Sequence, residues 1–385
     1  MIALISKRMF TILSGWMLIT FSAVAMVNIN SSDGVVIQGE ELETFNRPWA
    51  MAFLPSGQAL VTEKSGAIWL VENTGKKITT VAGAPEISAR GQGGMGDIIV
   101  HPDFGDNGVV FISYVERDPN DDAFSGAVVE RATLSLSNSA AKLEERKIIW
   151  RQSPKVSGNG HYAHRLALSP DGKLFITSGE RQKFTPAQNM AMNLGKVVRI
   201  NQDGSIPEDN PFYVNGPITN QIWSLGHRNP LGIDFDLDGQ LWVHEMGPRH
   251  GDELNLIEKA RNYGYPNVSE GAHYSGVEIP SHDTVPVYVS PVVAWVPAIS
   301  PAGFVIYKGD KYPNWKGDGF IGGLSSKAII RVEFEKHQER PHLRAKEAAR
   351  YEWGQRVREI EQNQQGELFV LEDGENGRLI KLSVK

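Results

Sequence analysis

Three carboxylates, two imidazoles and one guanidinium fall within one stretch, His244-Glu245-Met246-Gly247-Pro248-Arg249-His250-Gly251-Asp252-Glu253-Leu254-Asn255. Gly-Pro and this density of charge suit neither a strand nor a helix interior, so the stretch reads as a loop after the strand Gln240-Leu241-Trp242-Val243. Binding groups concentrate on such loops. The Glu253 carboxylate and the main-chain carbonyls of Gly247 and Pro248 are hard oxygen ligands that suit Ca²⁺. Taken alone, the loop also reads as a solvated charged turn.

Four further segments carry similar chemistry. His161 precedes one hairpin and Glu180 follows it, which puts both at one end. A carboxylate beside an imidazole orients the ring and raises its basicity, as a general base requires. The alternative is a surface histidine with an unrelated glutamate. Gly226-His227-Arg228-Asn229-Pro230 offers planar guanidinium donors to a carboxylate or oxyanion, or is an exposed turn. Arg90-Gly91-Gln92-Gly93-Gly94 lets backbone approach a ligand closely, or is a plain turn. Arg356-Val357-Arg358, with Lys327, puts cations where an inner face would need an anion, or is an exposed cationic face.

The elements that must position these groups repeat. Met51–Thr62, Leu166–Thr177, Ile233–His244 and Ile360–Leu371 each read as apolar strand, Gly-containing turn, alternating strand. Weaker copies start at Ile98 and Ala302. The pattern predicts an all-β chain, a six-bladed β-propeller of four-stranded antiparallel blades. Val35-Val36-Ile37 and Leu379–Val384 are expected to pair and close the ring. Only Ala187–Leu194 and Ala345–Arg350 look helical.

Composition narrows the class. A net charge of -6 and a pI near 6.0 give no electrostatic footprint for nucleic acid. Residues 1–25 read as a cleavable export signal, with Lys7 and Arg8, an apolar run and Ala23-Val24-Ala25. The mature residues 26–385 are expected to be one domain, periplasmic and without stable membrane insertion. The absence of cysteine removes thiolate zinc sites and disulfides.

In their joint order these segments resemble the soluble glucose/sorbosone dehydrogenases that use pyrroloquinoline quinone (PQQ), and in particular the bacterial periplasmic aldose sugar dehydrogenases. The resemblance rests on Gly91-Gln-Gly-Gly, Ile206-Pro-Glu-Asp-Asn-Pro-Phe212, Arg228-Asn-Pro, Gly247-Pro-Arg, Gly251-Asp-Glu-Leu-Asn, Asn262-Tyr-Gly-Tyr-Pro266 and Gly354-Gln-Arg-Val-Arg358. It implies that His161 is the base, oriented by Glu180, with Arg228 steadying negative charge on the reduced quinone. It implies that Gln92, Arg228, Asn229, Lys327, Arg356 and Arg358 surround PQQ. Gly247 and Pro248 would ligate one Ca²⁺, and Glu253 and Tyr263 a second, structural one. The implied reaction takes an aldose to its lactone and hands electrons to an unidentified acceptor. Two positions depart from the pattern. His164 stands where a glycine is usual and could narrow the sugar pocket or titrate with His161. Ala298 stands where a hydroxyl side chain is expected. A Ca²⁺-dependent lactonase-like propeller and a non-catalytic carbohydrate-binding propeller are the competing classes, and the three cations favour the dehydrogenase.

Overall fold

The computed structural model describes residues 26–137, 140–336 and 343–384; the expected leader, residues 1–25, lies outside them. The hairpins form where the sequence pattern places them. Pro48–Phe53 pairs antiparallel with Ala59–Glu63, Ala163–Leu168 with Leu174–Ser178, Pro230–Phe235 with Leu241–Glu245, and Val357–Gln362 with Leu368–Glu372. The weaker copies also begin hairpins, at Met95–Val100 and Pro301–Ile306. The turn glycines Gly172 and Gly239 sit at φ 75° and 77°, where any side chain would be strained.

Each hairpin is extended into a four-stranded antiparallel set. One set is completed across the chain ends, by Val36–Phe45 pairing with Gly377–Val384 from Ile37↔Val384 onward. Lys77–Ala82 and Ala140–Arg151 run parallel and join two sets at their outer edges. The first strands of the sets touch in a closed order, Pro48–Phe53, Met95–Val100, Ala163–Leu168, Pro230–Phe235, Pro301–Ile306, Val357–Gln362 and back to the first. The chain is therefore all-β, with four-stranded antiparallel sheets arranged in the manner of a β-propeller.

The core lies between neighbouring sheets, not at one centre. Trp242 and Leu254 of one set pack on Ile306, Ile321 and Ile330 of the next. Alternation along each strand supplies both faces, because every sheet is covered by two neighbours.

Neither expected helix forms. Ala345–Arg350 lies inside the strand Leu343–Glu352, paired with Ala328–Lys336 through Ile330↔Arg350 and Arg331↔Ala349. Ladder bonds to a neighbouring strand outweigh a local helix preference of a few tenths of a kcal/mol per residue, roughly. Ala187–Leu194 contributes only to the short 3₁₀ turn Thr185–Gln188. Among the described residues no helix is long and apolar enough to cross a membrane.

Candidate active site

His161 sits on the entry to a first strand, with φ 48°. Two loops from different sheets are pinned there: the His161 amide donates to Gln92 Oε1 at 2.7 Å, and the Gln92 amide donates to Asn159 O at 2.7 Å. His161 Nδ1 lies 2.5 Å from Glu180 Oε1. The Glu180 side chain is fully buried, and it also accepts the amides of Gln182 at 2.9 Å, Lys183 at 2.5 Å and Phe184 at 2.6 Å. Burial pushes the Glu180 pKa up, but the His161 bond, the Phe184 amide and Arg228 outweigh it and hold it below 4.5. An ionised carboxylate only accepts, so Nδ1 carries the proton and Nε2 keeps its lone pair. Burial lowers the His161 pKa below 6.5; the Glu180 bond opposes this, and Arg228 and Arg181 add to it. His161 is thus a neutral, oriented imidazole at pH 7 with an open acceptor at Nε2.

Arg228 and Asn229 occupy the same position in the next sheet. The Arg228 amide donates to Glu245 Oε2 at 2.5 Å, and its Nη1 donates to the carbonyls of Met246 at 2.9 Å and Gly247 at 2.6 Å. Among the described residues, Arg228 Nε and Asn229 Oδ1 are buried without a hydrogen-bond partner. Such atoms are costly to leave unmet, and a ligand or an ordered water can meet them.

A cavity of about 470 Å³ opens beside them, lined among others by Gln92, Asn229, Arg356, Arg358, Lys64 and Trp49. Trp49 is stacked on His164 at 5.3 Å between ring centroids, and the Arg165 guanidinium lies 4.0 Å from the Trp49 ring. Arg165 is held by Asp97 at 3.3 Å and by Glu359. These buried charges fix the cavity wall.

The cations expected to need a ligand anion are partly answered within the protein. Asp373 takes Arg356 Nε at 2.7 Å and Arg358 Nη2 at 3.1 Å. Lys327 does not line this cavity; it is exposed, and its ammonium has no partner among the described residues. His161, Glu180 and Arg228 border the cavity through their neighbours Tyr162 and Asn229 and do not line it. Burial lowers the Lys64 pKa, the neighbouring Arg47 and Arg358 add to this, and Asp373 opposes it.

Lys64, Arg47, Ser300 and Asp373 line the cavity and were missed in the sequence. A positional signal could have found them. Residues just before a first strand (Arg47, Gln92, Asn229, Ser300, Arg356) and just after a second one (Lys64, Met246, Leu324, Asp373) all face it.

The metal expectations fare unevenly. The Gly247-Pro248 turn is built, with the Gly247 amide on Asp252 Oδ1 at 2.9 Å. The Gly247 carbonyl already accepts Arg228, which leaves it one lone pair. The Pro248 carbonyl accepts no hydrogen bond among the described residues. Glu253 faces Glu245 across the ladder. Burial and then Glu245 push the Glu253 pKa well above 4.5. A cation would relieve that pair. The Tyr263 hydroxyl is spent on Leu256 O at 2.5 Å and the Glu258 amide at 2.9 Å. Its carbonyl is covered by His282 Nε2 at 3.0 Å. Among the described residues no group of three or more His, Asp or Glu is arranged around a metal position, so any cation here leans on main-chain carbonyls.

The two departures resolve differently. His164 lines the cavity, but burial drives its pKa down to about 3, so it stays neutral and does not titrate with His161. Ala298 carries no hydroxyl, while Ser300, two residues on, lines the wall.

Fold and site together define a β-propeller protein with an oriented, neutral imidazole at the rim of a cationic cavity. Residues 45–381 match the family model described as Glucose / Sorbosone dehydrogenase, and the chain belongs to that family of oxidoreductases. It is 34% identical over 347 residues to the aldose sugar dehydrogenase YliI of Escherichia coli, covering 89% of this chain and 91% of that one. It is also 34% identical over 289 residues to quinoprotein glucose dehydrogenase B of Acinetobacter calcoaceticus, covering 67% of this chain and 59% of the relative. The crystal structure of the apo-form of the soluble aldose sugar dehydrogenase from E. coli superposes with a TM-score of 0.83 at 34% identity, over 90% of this chain and 99% of that one.

Proposed function

We propose that the chain is a six-bladed propeller, residues 26–385 forming one domain exported to the periplasm, that oxidises aldose sugars at the anomeric carbon to lactones with PQQ and Ca²⁺. The observation that carries this reading is the 2.5 Å His161–Glu180 pair beside a cavity with unpartnered polar atoms and surplus cations. The quinoprotein relative from Acinetobacter supports the choice of cofactor.

When bound, PQQ supplies the hydride acceptor and Ca²⁺ a Lewis acid beside it. His161 Nε2 takes the proton of the anomeric hydroxyl. Glu180 keeps the ring oriented and stabilises the imidazolium that forms. Arg228, with its spare Nε, would offer a donor to negative charge on a bound quinone acceptor. Arg356 and Arg358 on the cavity wall, with the exposed Lys327 outside it, would offset an anionic cofactor, and the amides of Gln92 and Asn229 would fix its orientation. The carbonyls of Gly247 and Pro248 would hold one Ca²⁺, and Glu253, with Tyr263, would help hold the other.

The protein purified without cofactor should reduce a dye with aldoses only after both PQQ and Ca²⁺ are added, and a chelator should abolish the gain. Failure of PQQ to bind, read by calorimetry, would overturn the proposal. The pH profile follows from the direction of the His161 shift. The base works unprotonated, and its pKa lies below 6.5. Activity should therefore be full at neutral pH and fall along an acid limb centred below 6.5. A limb centred above 6.5 would contradict the assignment of the base.

A further inference from the structure

Arg181 is among the largest fully buried side chains, at 1% exposure, and it has no ion-pair partner within 4 Å among the described residues. Its neighbour Glu180 has no oxygen to spare, since both are taken by His161 and main-chain amides. A buried guanidinium without a counter-ion costs stability that an apolar side chain of the same size would not. Its hydrogen bonds show where that cost is offset. Nε donates to Gly160 O at 2.9 Å, Nη2 to Gly158 O at 2.6 Å and Ser125 Oγ at 3.2 Å, and Nη1 to Ser125 O at 2.6 Å. The guanidinium lies 3.7 Å from the ring centroid of Tyr162, whose hydroxyl meets Ser125 Oγ at 2.7 Å.

These contacts bracket His161 on both sides. Gly158 and Gly160 precede it, Tyr162 follows it, and Ser125 belongs to the neighbouring sheet. His161, Ala163 and His164 have φ of 48°, 59° and 62°, left-handed values on both sides of Tyr162 that the backbone does not adopt unaided. We infer that Arg181 is a positioning residue that clamps the base-bearing segment, so that one turn supplies both the carboxylate that orients the imidazole and the cation that fixes its backbone. A planar fork can reach three carbonyls at once, whereas an ammonium is a single point. The inference rests on His161 acting as the base.

The charged groups facing His161 are Glu180, Arg228 and Arg181, and the last two disfavour the imidazolium. Burial lowers the Arg181 pKa to about 10, so it remains a cation at neutral pH. Full-length Arg181→Lys and Arg181→Met separate clamp from charge. Arg181→Lys should lower kcat on the order of 10²-fold, as small misplacements of a catalytic group do. Its KM for sugar and its acid limb should hold. Arg181→Met should also move the acid limb to higher pH. A readout independent of turnover is the Nδ1 proton resonance of His161, assigned by its loss in His161→Gln; it should broaden or vanish in both variants. Wild-type kcat and an unchanged resonance in Arg181→Lys would overturn the inference. So would kcat and KM declining together with thermal stability while the resonance stays in place. Should Arg181→Met not fold, Arg181→Lys decides alone. Should the wild type not oxidise sugars, the proposed function fails, and the resonance still tests the clamp.

Discussion

His161→Gln is expected to lower kcat about 10²–10⁴-fold, the usual contribution of a positioned base, while PQQ affinity stays close to wild type. Glutamine can still donate to Glu180, so the turn at Gln182–Phe184 keeps its anchor; what is lost is the lone pair at Nε2. The acid limb of the pH profile should disappear with it, because the titrating group is gone. Glu180→Gln is the companion. It removes the acceptor for His161 Nδ1 and leaves the Lys183 and Phe184 amides facing an amide that can satisfy only part of what the carboxylate did. It should lower kcat and shift the limb to still more acid pH, since Glu180 favours the imidazolium. A His161→Gln protein with near-normal turnover would remove the base from the proposed mechanism.

The second large effect is on cofactor retention. Arg356→Gln combined with Arg358→Gln is expected to weaken PQQ binding about 100-fold or more, measured by titration calorimetry. Each hydrogen bond to a charged group contributes about 1.5–3 kcal/mol, and the loss exceeds that of the bonds alone. Both guanidiniums now neutralise Asp373. Without them its carboxylate lines the cavity as an unpaired anion and repels an anionic ligand. Adding Asp373→Asn to the double variant should therefore restore part of the affinity, and Asp373→Asn alone should tighten binding by freeing the guanidinium donors. Weaker binding in Asp373→Asn alone would show instead that Asp373 is needed to aim the two arginines.

Much of this was legible residue by residue. The His161–Glu180 pair spans 19 residues across one hairpin, and Arg358 and Asp373 lie 15 apart across another. Hairpin register follows from turn type and side-chain alternation, both local properties. Such pairs are in principle readable, and Asp373 was overlooked although its position follows the same rule as Glu180. The helix expected at Ala345–Arg350 failed because composition misled: the residues favour a helix locally, but the strand just before them, Ala328–Lys336, offers a ladder that outweighs that preference. Lys327 was grouped with the arginines by charge and by the resemblance, and neither says that its side chain lies outside the cavity that Arg356 and Arg358 line.

The sequence alone determined the strands, the repeated hairpins, the closing of the chain ends, and the rule that residues flanking each hairpin gather at one end. Tertiary structure decided who meets across sheets. Gln92 holds His161 from 69 residues away, Arg165 reaches Glu359 from 194, and Arg181 clamps Ser125 from 56. Those contacts depend on how the sheets are rotated about a common axis when the ring closes. That angle is set by the packing of whole sheet faces, and no local pattern of residues encodes it.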